Sequence, residues 1–239
     1  MYLSVIIPAY NEEKRISKTL LAVDSFLRRQ NYEYEILVVS DGSKDRTVEV
    51  VNGLKGQIKN LKLIDEKTNH GKGWVVRRGM LEANGQYRLF MDADNSTTVD
   101  QINNFLPYLD QGYDIVIGSR RAPGAVIAVR QPWIRDLLGG VFRFIVQSLV
   151  PLGVTDSQAG FKVFSEKAVE ETFKKQTIFR WAFDVEILAI ARLKGFKIKE
   201  VPIHWTNDTE SHVKLSGMIK MLLEIGRVRL NLWGGKYRS

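Results

Sequence analysis

The sequence predicts an α/β protein, a mostly parallel sheet flanked by helices in a single domain. Three observations predict it. Short β-branched runs alternate through the first half with segments of helical period, the habit of parallel strands joined by crossover helices. Polar clusters stand at the carboxyl ends of four predicted strands, where the ligand crevice of an open α/β sheet lies. A chain of 239 residues with 44% hydrophobic content is enough for one ordinary domain with a substantial core.

The elements follow in order. A strand is predicted over residues 3–8, and Ile16, Leu20, Val23 and Leu27 then recur at helical spacing, with Asn11 as N-cap. Strands are predicted at 35–40 and 61–65, with a helix between them marked by Val48, Val51 and Leu54 after Ser43-Lys44-Asp45. A third helix holds Met80, Leu81 and Ala83, and strands follow at 87–92 and 114–119. Residues 122–154 mix aromatics, arginines and prolines without a clean period and read as a long insertion. A strand returns through Phe164, a helix covers 183–193 and a strand 196–201. The last stretch places Met218, Met221, Leu222, Ile225 and Leu232 among Lys220, Arg227 and Arg229, a basic amphipathic helix with its tail over 214–239.

Composition removes several classes of function. Without cysteine there are no disulfides or thiolate metal sites, and a reducing compartment is favoured. The N-terminus has no basic region before its apolar run, so no signal peptide is expected. No apolar stretch reaches the roughly 20 residues that span a bilayer, because Arg143, Gln147 and Pro151 interrupt the best candidate. The net charge of +8 fits nucleic acid, anionic lipid or phosphorylated substrates alike. Zinc-finger spacing, RNA-binding aromatics and a helix-turn-helix pattern are lacking, so nucleic acid is not expected as a partner.

The strongest chemical signal is Phe90-Met91-Asp92-Ala93-Asp94. In an extended segment residues i and i+2 share a face, so Asp92 and Asp94 can converge on one hard cation, Mg²⁺ or Mn²⁺, whose other positions go to water and phosphate oxygens. Helix capping is the alternative for an isolated pair. Pro8-Ala9-Tyr10-Asn11-Glu12, Asp41-Gly42-Ser43 and Gly118-Ser119-Arg120-Arg121 stand at three other strand ends. Asp41 can accept from a base N–H while the helix after Ser43 points its amino end toward phosphate, although Asp-Gly-Ser is also a common turn. Lys72, between Gly71 and Gly73, can bring a cation to phosphate, but the rest of a Walker A loop is missing. Arg120 suits phosphate through its guanidinium fork. Asp184 and Glu186 open a helix, where the dipole favours them; if they face the crevice, Asp184 becomes a general-base candidate. His70, His204 and His212 are too scattered for a zinc set.

With these motifs in this order, nearly the whole chain resembles glycosyltransferase family 2, with a GT-A (Rossmann-like) fold whose sheet is mixed and mostly parallel. Asp156-Ser157-Gln158-Ala159-Gly160-Phe161-Lys162, Arg180-Trp181-Ala182-Phe183-Asp184-Val185-Glu186 and Glu200-Val201-Pro202-Ile203-His204-Trp205 are most similar to the dolichyl-phosphate glucosyltransferases, then to the mannosyltransferases. The resemblance implies inverting transfer of a sugar, most simply glucose from UDP-glucose, with GDP-mannose as the other donor, to a polyprenyl phosphate. It implies that Pro8, Tyr10, Glu12 and Asp41 hold the nucleoside, with Ser43, Lys72 and Ala93 completing the donor set. Asp92 and Asp94 would hold the ribose and metal-diphosphate, while Arg120, Arg135 and Lys214 would meet the acceptor phosphate. Asp94, Arg120, Arg135 and Asp184 form the implied catalytic set. In mannosyltransferase relatives a third metal ligand stands where this chain has Ser96. The donor half would be 1–119 and the acceptor half 120–213.

Acceptor chemistry agrees with this inventory. A sugar hydroxyl must lose a proton as it attacks, whereas a phosphate monoester, with a second pKa of about 6, is already anionic. Such an acceptor needs cations more than a base. An isoprenoid acceptor must be met at the bilayer, so a peripheral position on the cytoplasmic face is expected, with the C-terminal helix and residues 126–150 in the headgroup layer. Two alternatives remain: a family 2 enzyme with a sugar hydroxyl acceptor, and a non-catalytic nucleotide-sugar-binding regulator.

Overall fold

Near-continuous β-branched runs form strands buried on both faces, as parallel sheets require. In the computed structural model, residues 1–128, 133–206 and 215–238 are described, with the backbone alone at 133–138, 141, 215, 216 and 218. In chain order the elements are β1 (Leu3–Ala9), α1 (Ile16–Leu27), β2 (Tyr34–Asp41), α2 (Thr47–Leu54), β3 (Leu61–Glu66), α3 (Lys72–Glu82) and β4 (Tyr87–Met91). After a 3₁₀ turn at Val99–Asn104 come α4 (Leu106–Asp110), β5 (Ile115–Ser119), β6 (Val126–Ile127) and α5 (Trp133–Leu149). The chain closes with β7 (Phe161–Ser165), α6 (Glu166–Phe173), α7 (Phe183–Leu193), β8 (Ile198–Pro202), β9 (His204–Trp205) and α8 (Leu215–Trp233).

Among the described residues seven strands form one sheet in the order β3-β2-β1-β4-β7-β5-β8, and β6 pairs with β9 in a separate ribbon. All pairings in the large sheet are parallel except those of β7, which runs antiparallel between β4 and β5. Side-chain alternation sorts the core into two layers. Ile6, Val39 and Phe90 face Val75 and Met80 of α3 and the α6–α7 side, while Val5, Ile7 and Val38 face Leu20, Val23 and Val51 of α1 and α2. Ile225 and Val228 bring α8 onto the first layer, beside α5 and α7.

Four sequence expectations need correction. Asn11 does not cap α1; it turns the chain in the left-handed region at φ 57°, and the helix begins at Ile16 after Arg15. Its side chain instead accepts from the Lys44 backbone N–H at 2.8 Å, across the sheet top. The β4 strand ends at Met91, so Asp92 and Asp94 stand in a turn rather than in an extended segment. The turn is closed by the Asn95 N–H on the Asp92 carbonyl and by Asn95 at φ 55°. The stretch over 122–154, read from sequence as having no clean period, contains the 17-residue α5, whose Phe142 and Val146 are buried one turn apart while Phe144 between them is exposed. Finally, residues 166–173, assigned no element from the pattern, form α6, capped by Ser165 Oγ accepting from Ala168 N.

Candidate active site

The donor-side residues gather where β1 and β2 end together, Ala9 beside Ser40. Tyr10 is 43% exposed at this tip. Ser43 Oγ accepts from Asn11 N and Ser40 Oγ at 3.2 and 3.1 Å, and Thr47 Oγ1 accepts from Glu12 N at 2.7 Å. Glu12 also pairs with Arg15 one helical turn on. Two loops are thereby fastened into one surface, with Pro8 half-buried beneath it.

Asp41 is buried and already well supplied. Its carboxylate accepts from His70 N at 2.7 Å, Asn69 Nδ2 at 2.9 Å and Gly71 N at 3.0 Å. Of about four acceptor sites on a carboxylate, that leaves about one for a ligand N–H. Gly42 makes the approach of this loop possible: it sits at φ +68°, and a Cβ there would lie 2.7 Å from the Thr68 carbonyl carbon.

The glycines around Lys72 have a packing reason as well as a conformational one. A Cβ on Gly71, at φ +105°, would lie 2.6 Å from the Phe179 carbonyl oxygen, and one on Gly73 would lie 2.6 Å from Phe183 Cβ. The first turn of α3 can therefore press against the segment entering α7. This contact aims Lys72 at the paired aspartates, its Nζ 2.6 Å from Asp92 Oδ1.

Asp92 is held from behind by Gly160, where a Cβ would fall 2.0 Å from Asp92 Oδ2, and its N–H donates to the Gly160 carbonyl at 3.1 Å. Ala93 is buried, its carbonyl bonded to Thr19 Oγ1 at 2.7 Å. Asp94 accepts from Ser96 N at 2.9 Å. Burial and the Asp92 charge raise the Asp94 pKa above the usual carboxylate range, so the two carboxylates work on each other. Among the described residues no group of three His, Cys, Asp or Glu side chains stands ready for a metal. Two neighbouring carboxylates fit a hard cation that keeps its other positions for water and substrate phosphate.

Across β7 stands the second half of the site. Arg120 leaves the end of β5 and is gripped by Asp156, with Nε–Oδ2 at 2.7 Å, Nη2–Oδ1 at 2.8 Å and its own N–H on Oδ2 at 3.0 Å. Its guanidinium also lies over the Trp205 ring at 5.3 Å. Burial opposes the Arg120 charge, but Asp156, Asp92 and Asp184 outweigh it and raise the pKa. Burial likewise opposes the Asp156 charge, but the Arg120 guanidinium outweighs it and holds the carboxyl below its ordinary range. Glu200 in turn fixes the loop, accepting from Thr155 N, Thr155 Oγ1 and Asp156 N at 2.7 to 3.1 Å.

Asp184 lies in the first turn of α7, buried and paired with Lys162 Nζ at 2.5 Å. Burial raises the Asp184 pKa and lowers that of Lys162 despite their mutual attraction. Glu186 faces elsewhere: it accepts from Thr177 N, Thr177 Oγ1, Ile178 N and the Tyr237 hydroxyl, which anchors the chain end.

The fold thus brings Lys72 within electrostatic reach of Asp92, Asp94 and Asp184, and Arg120 within reach of Asp92 and Asp184. The Arg135 side chain and all of Lys214 lie outside the described residues. Lys162 and Asp156 were not singled out from sequence as site residues. The signal was present in Phe161-Lys162-Val163-Phe164, a lysine inside an apolar strand, where a buried charge needs a partner.

A mixed sheet carrying a paired-aspartate turn beside the β1 and β2 tips defines a GT-A glycosyltransferase. Mannosyl-3-phosphoglycerate synthase from Rubrobacter xylanophilus shares this fold with a TM-score of 0.72, at 18% identity, over 100% of this chain and 76% of that one. Glucosyl-3-phosphoglycerate synthase from Mycobacterium tuberculosis, solved with Mn²⁺, UDP-glucose and phosphoglyceric acid, shares it with a TM-score of 0.66 at 17% identity, over 98% and 80%. In sequence, the family model described as Glycosyl transferase family 2 matches residues 4–173. A dolichyl-phosphate beta-glucosyltransferase of Trichomonas vaginalis is 38% identical over 248 residues, covering 98% of this chain and 76% of the relative. The chain belongs to glycosyl transferase family 2.

Proposed function

We propose that the protein transfers glucose from UDP-glucose to a polyprenyl or dolichyl phosphate at a membrane surface, with inversion at the anomeric carbon. The observation that carries the acceptor class is the Arg120–Asp156 fork beside the paired aspartates: a fixed guanidinium where an anionic acceptor is needed. The 38% identity to a dolichyl-phosphate beta-glucosyltransferase, across nearly the full chain, supports both the sugar and the acceptor.

In this reading residues 1–119 bind the donor and 120–213 the acceptor, with 214–239 as a membrane-facing tail. Pro8, Tyr10, Glu12, Asp41 and Ser43 surround the nucleoside, and Lys72 reaches the diphosphate. Asp92, Ala93 and Asp94 present the two carboxylates that would hold Mg²⁺ or Mn²⁺, which when bound supplies positive charge to the departing diphosphate. Arg120, with Arg135 and Lys214, holds the acceptor phosphate. A phosphate oxygen attacks the anomeric carbon as its bond to the diphosphate breaks. That oxygen is already anionic near neutral pH, so no proton has to be removed. Asp184, tied to Lys162, then serves to fix the cations rather than to act as a base.

A lipid acceptor also needs a surface to meet it. No helix among the described residues is long and apolar enough to cross a membrane. On α8, however, Ile219, Leu223, Leu230 and Trp233 are exposed by 56 to 70%. Their spacing puts them on one stripe, with Lys220 and Arg227 on one flank and Arg229 on the other. Arg229 lies 4.4 Å from the Trp233 ring, and Phe144 of neighbouring α5 is 73% exposed. An apolar stripe between cations suits an anionic lipid surface, where a peripheral enzyme on the cytoplasmic leaflet would lie.

The test is a panel of UDP- and GDP-sugars offered with polyprenyl phosphate in anionic vesicles. UDP-glucose is expected to dominate and to yield a mild-acid-labile lipid product, and chelation to abolish turnover. A lipid-free glycoside product would move the enzyme to a hydroxyl acceptor, and donor binding without any product would make it a regulator. Under the phosphate reading Arg120→Ala is more damaging than Asp184→Ala; a required base would reverse that order.

A further inference from the structure

The pair between Lys72 and Asp92 places a cation on an oxygen that a metal would use. Lys72 Nζ sits 2.6 Å from Asp92 Oδ1, with the two side chains 30% and 35% exposed, open to ligands yet partly shielded from water. The surrounding backbone sets where both side chains start. Asp92 is backed by Gly160, and Lys72 is aimed by the tight packing of Gly71 and Gly73 on 179–183.

The surrounding charges make this cation matter. Asp92, Asp94, Asp156 and Asp184 are four carboxylates facing the cations Lys72, Lys162 and Arg120, with Arg15 also acting on Asp94. Arg120 is committed to Asp156 and Lys162 to Asp184. Lys72 alone of these three faces the paired-aspartate turn through a direct contact among the described residues. A divalent cation approaching Asp92 meets a competing ammonium there. A nucleoside diphosphate changes the balance, because its phosphates offer Lys72 a new partner while adding oxygen ligands for the metal.

We propose that Lys72 is the resident counter-ion of the metal position, occupying Asp92 until a nucleoside diphosphate draws it away, so that metal and nucleotide bind together and neither binds well alone. This rests on the reading of Asp92 and Asp94 as the metal-diphosphate ligands. It assigns Lys72 a role distinct from phosphate contact alone: it couples two binding events. A lysine that merely touched phosphate would leave metal affinity in the absence of nucleotide unchanged when removed.

The experiment is Mn²⁺ binding, followed by the EPR signal of free Mn²⁺, with and without UDP, in the wild type, Lys72→Gln, Lys72→Arg and Asp92→Asn. The wild type should bind Mn²⁺ weakly alone and more tightly with UDP. Lys72→Gln should bind Mn²⁺ alone about tenfold more tightly than the wild type, since a unit charge a few ångströms away has gone, and should gain less from UDP. Lys72→Arg, keeping the charge, should behave like the wild type and shows that the site tolerates substitution. Equal or weaker Mn²⁺ binding by Lys72→Gln without UDP, while Asp92→Asn abolishes the Mn²⁺–UDP complex, overturns the coupling and leaves the metal ligands in place. If Asp92→Asn binds Mn²⁺ with UDP as the wild type does, the metal reading falls and the coupling with it.

Discussion

Asp156 shows how much of this site is decided by single side chains. It takes three hydrogen bonds from Arg120 and is almost wholly buried, so its carboxylate form is strongly favoured. Its folded pKa lies below the ordinary carboxylate value of about 3.9, so the ionised form contributes stability above that pH. The contribution is lost as pH falls through the lower, folded value. Asp156→Asn is therefore expected to cost about 2 kcal/mol at neutral pH, less than the ~3–5 of a fully buried pair because Arg120 is partly exposed. Urea unfolding from pH 7 down to pH 2 should show the gap between wild type and variant closing on the acid side. A gap that is constant with pH would mean that Asp156 acts by shape alone. Asp41 makes the complementary point: most of its acceptor capacity holds the 69–71 loop, so a nucleoside contact shares the group with the fold.

At the scale of elements, the antiparallel entry of β7 beside β4 builds the metal side of the cleft. Phe90 pairs with Lys162, and the chain just before β7 runs against the turn just after β4. Gly160 stands at that junction with no room for a side chain. Gly160→Ala is expected to fold, since Asp92 is partly exposed and can swing outward, but to misplace its carboxylate. Affinity for Mn²⁺–UDP by calorimetry should fall about tenfold or more, as displacement of one charged ligand implies, while Tm moves only a few degrees. Unchanged affinity would show that Asp92 keeps its place by other means. α5 and α6 both carry a helical period that the sequence expectations missed: Phe142 and Val146 are buried one turn apart with exposed Phe144 between them, and Ala168, Val169, Thr172 and Phe173 share one face of an eight-residue helix.

For the whole molecule, the chain end is tied into the core. Tyr237 is fully buried, its hydroxyl 2.6 Å from Glu186 Oε1 and 2.9 Å from Asn231 Nδ2. Burial and the Glu186 charge raise the phenol pKa, so the ring stays neutral and donates to the carboxylate. This link fastens α8 onto α7, whose first turn carries Asp184. Tyr237→Ala is expected to cost about 4 kcal/mol, in the range for losing a buried aromatic ring, and Tyr237→Phe about 1 through the lost hydrogen bond to Glu186 Oε1, which keeps its bonds from Thr177. Chemical denaturation checks both. A negligible cost for Tyr237→Phe would show that packing alone holds the tail, and equal costs for the two variants would put the whole effect on the hydroxyl.

Local pattern determined the first half of the sheet and the motifs at its carboxyl edge, because near-continuous β-branched runs and glycine-aspartate turns are written in consecutive residues. Pro8 to Glu12, Asp41 to Ser43, Asp92 to Asp94 and Arg120 were legible for that reason. Only the tertiary structure decided that β7 inverts between β4 and β5, that Gly71 and Gly73 serve helix packing, and that Lys162 and Asp156 hold Asp184 and Arg120. Those facts depend on pairs of residues 22 to more than 100 positions apart. Coulomb interaction and steric exclusion act through space, and no window of sequence contains both partners.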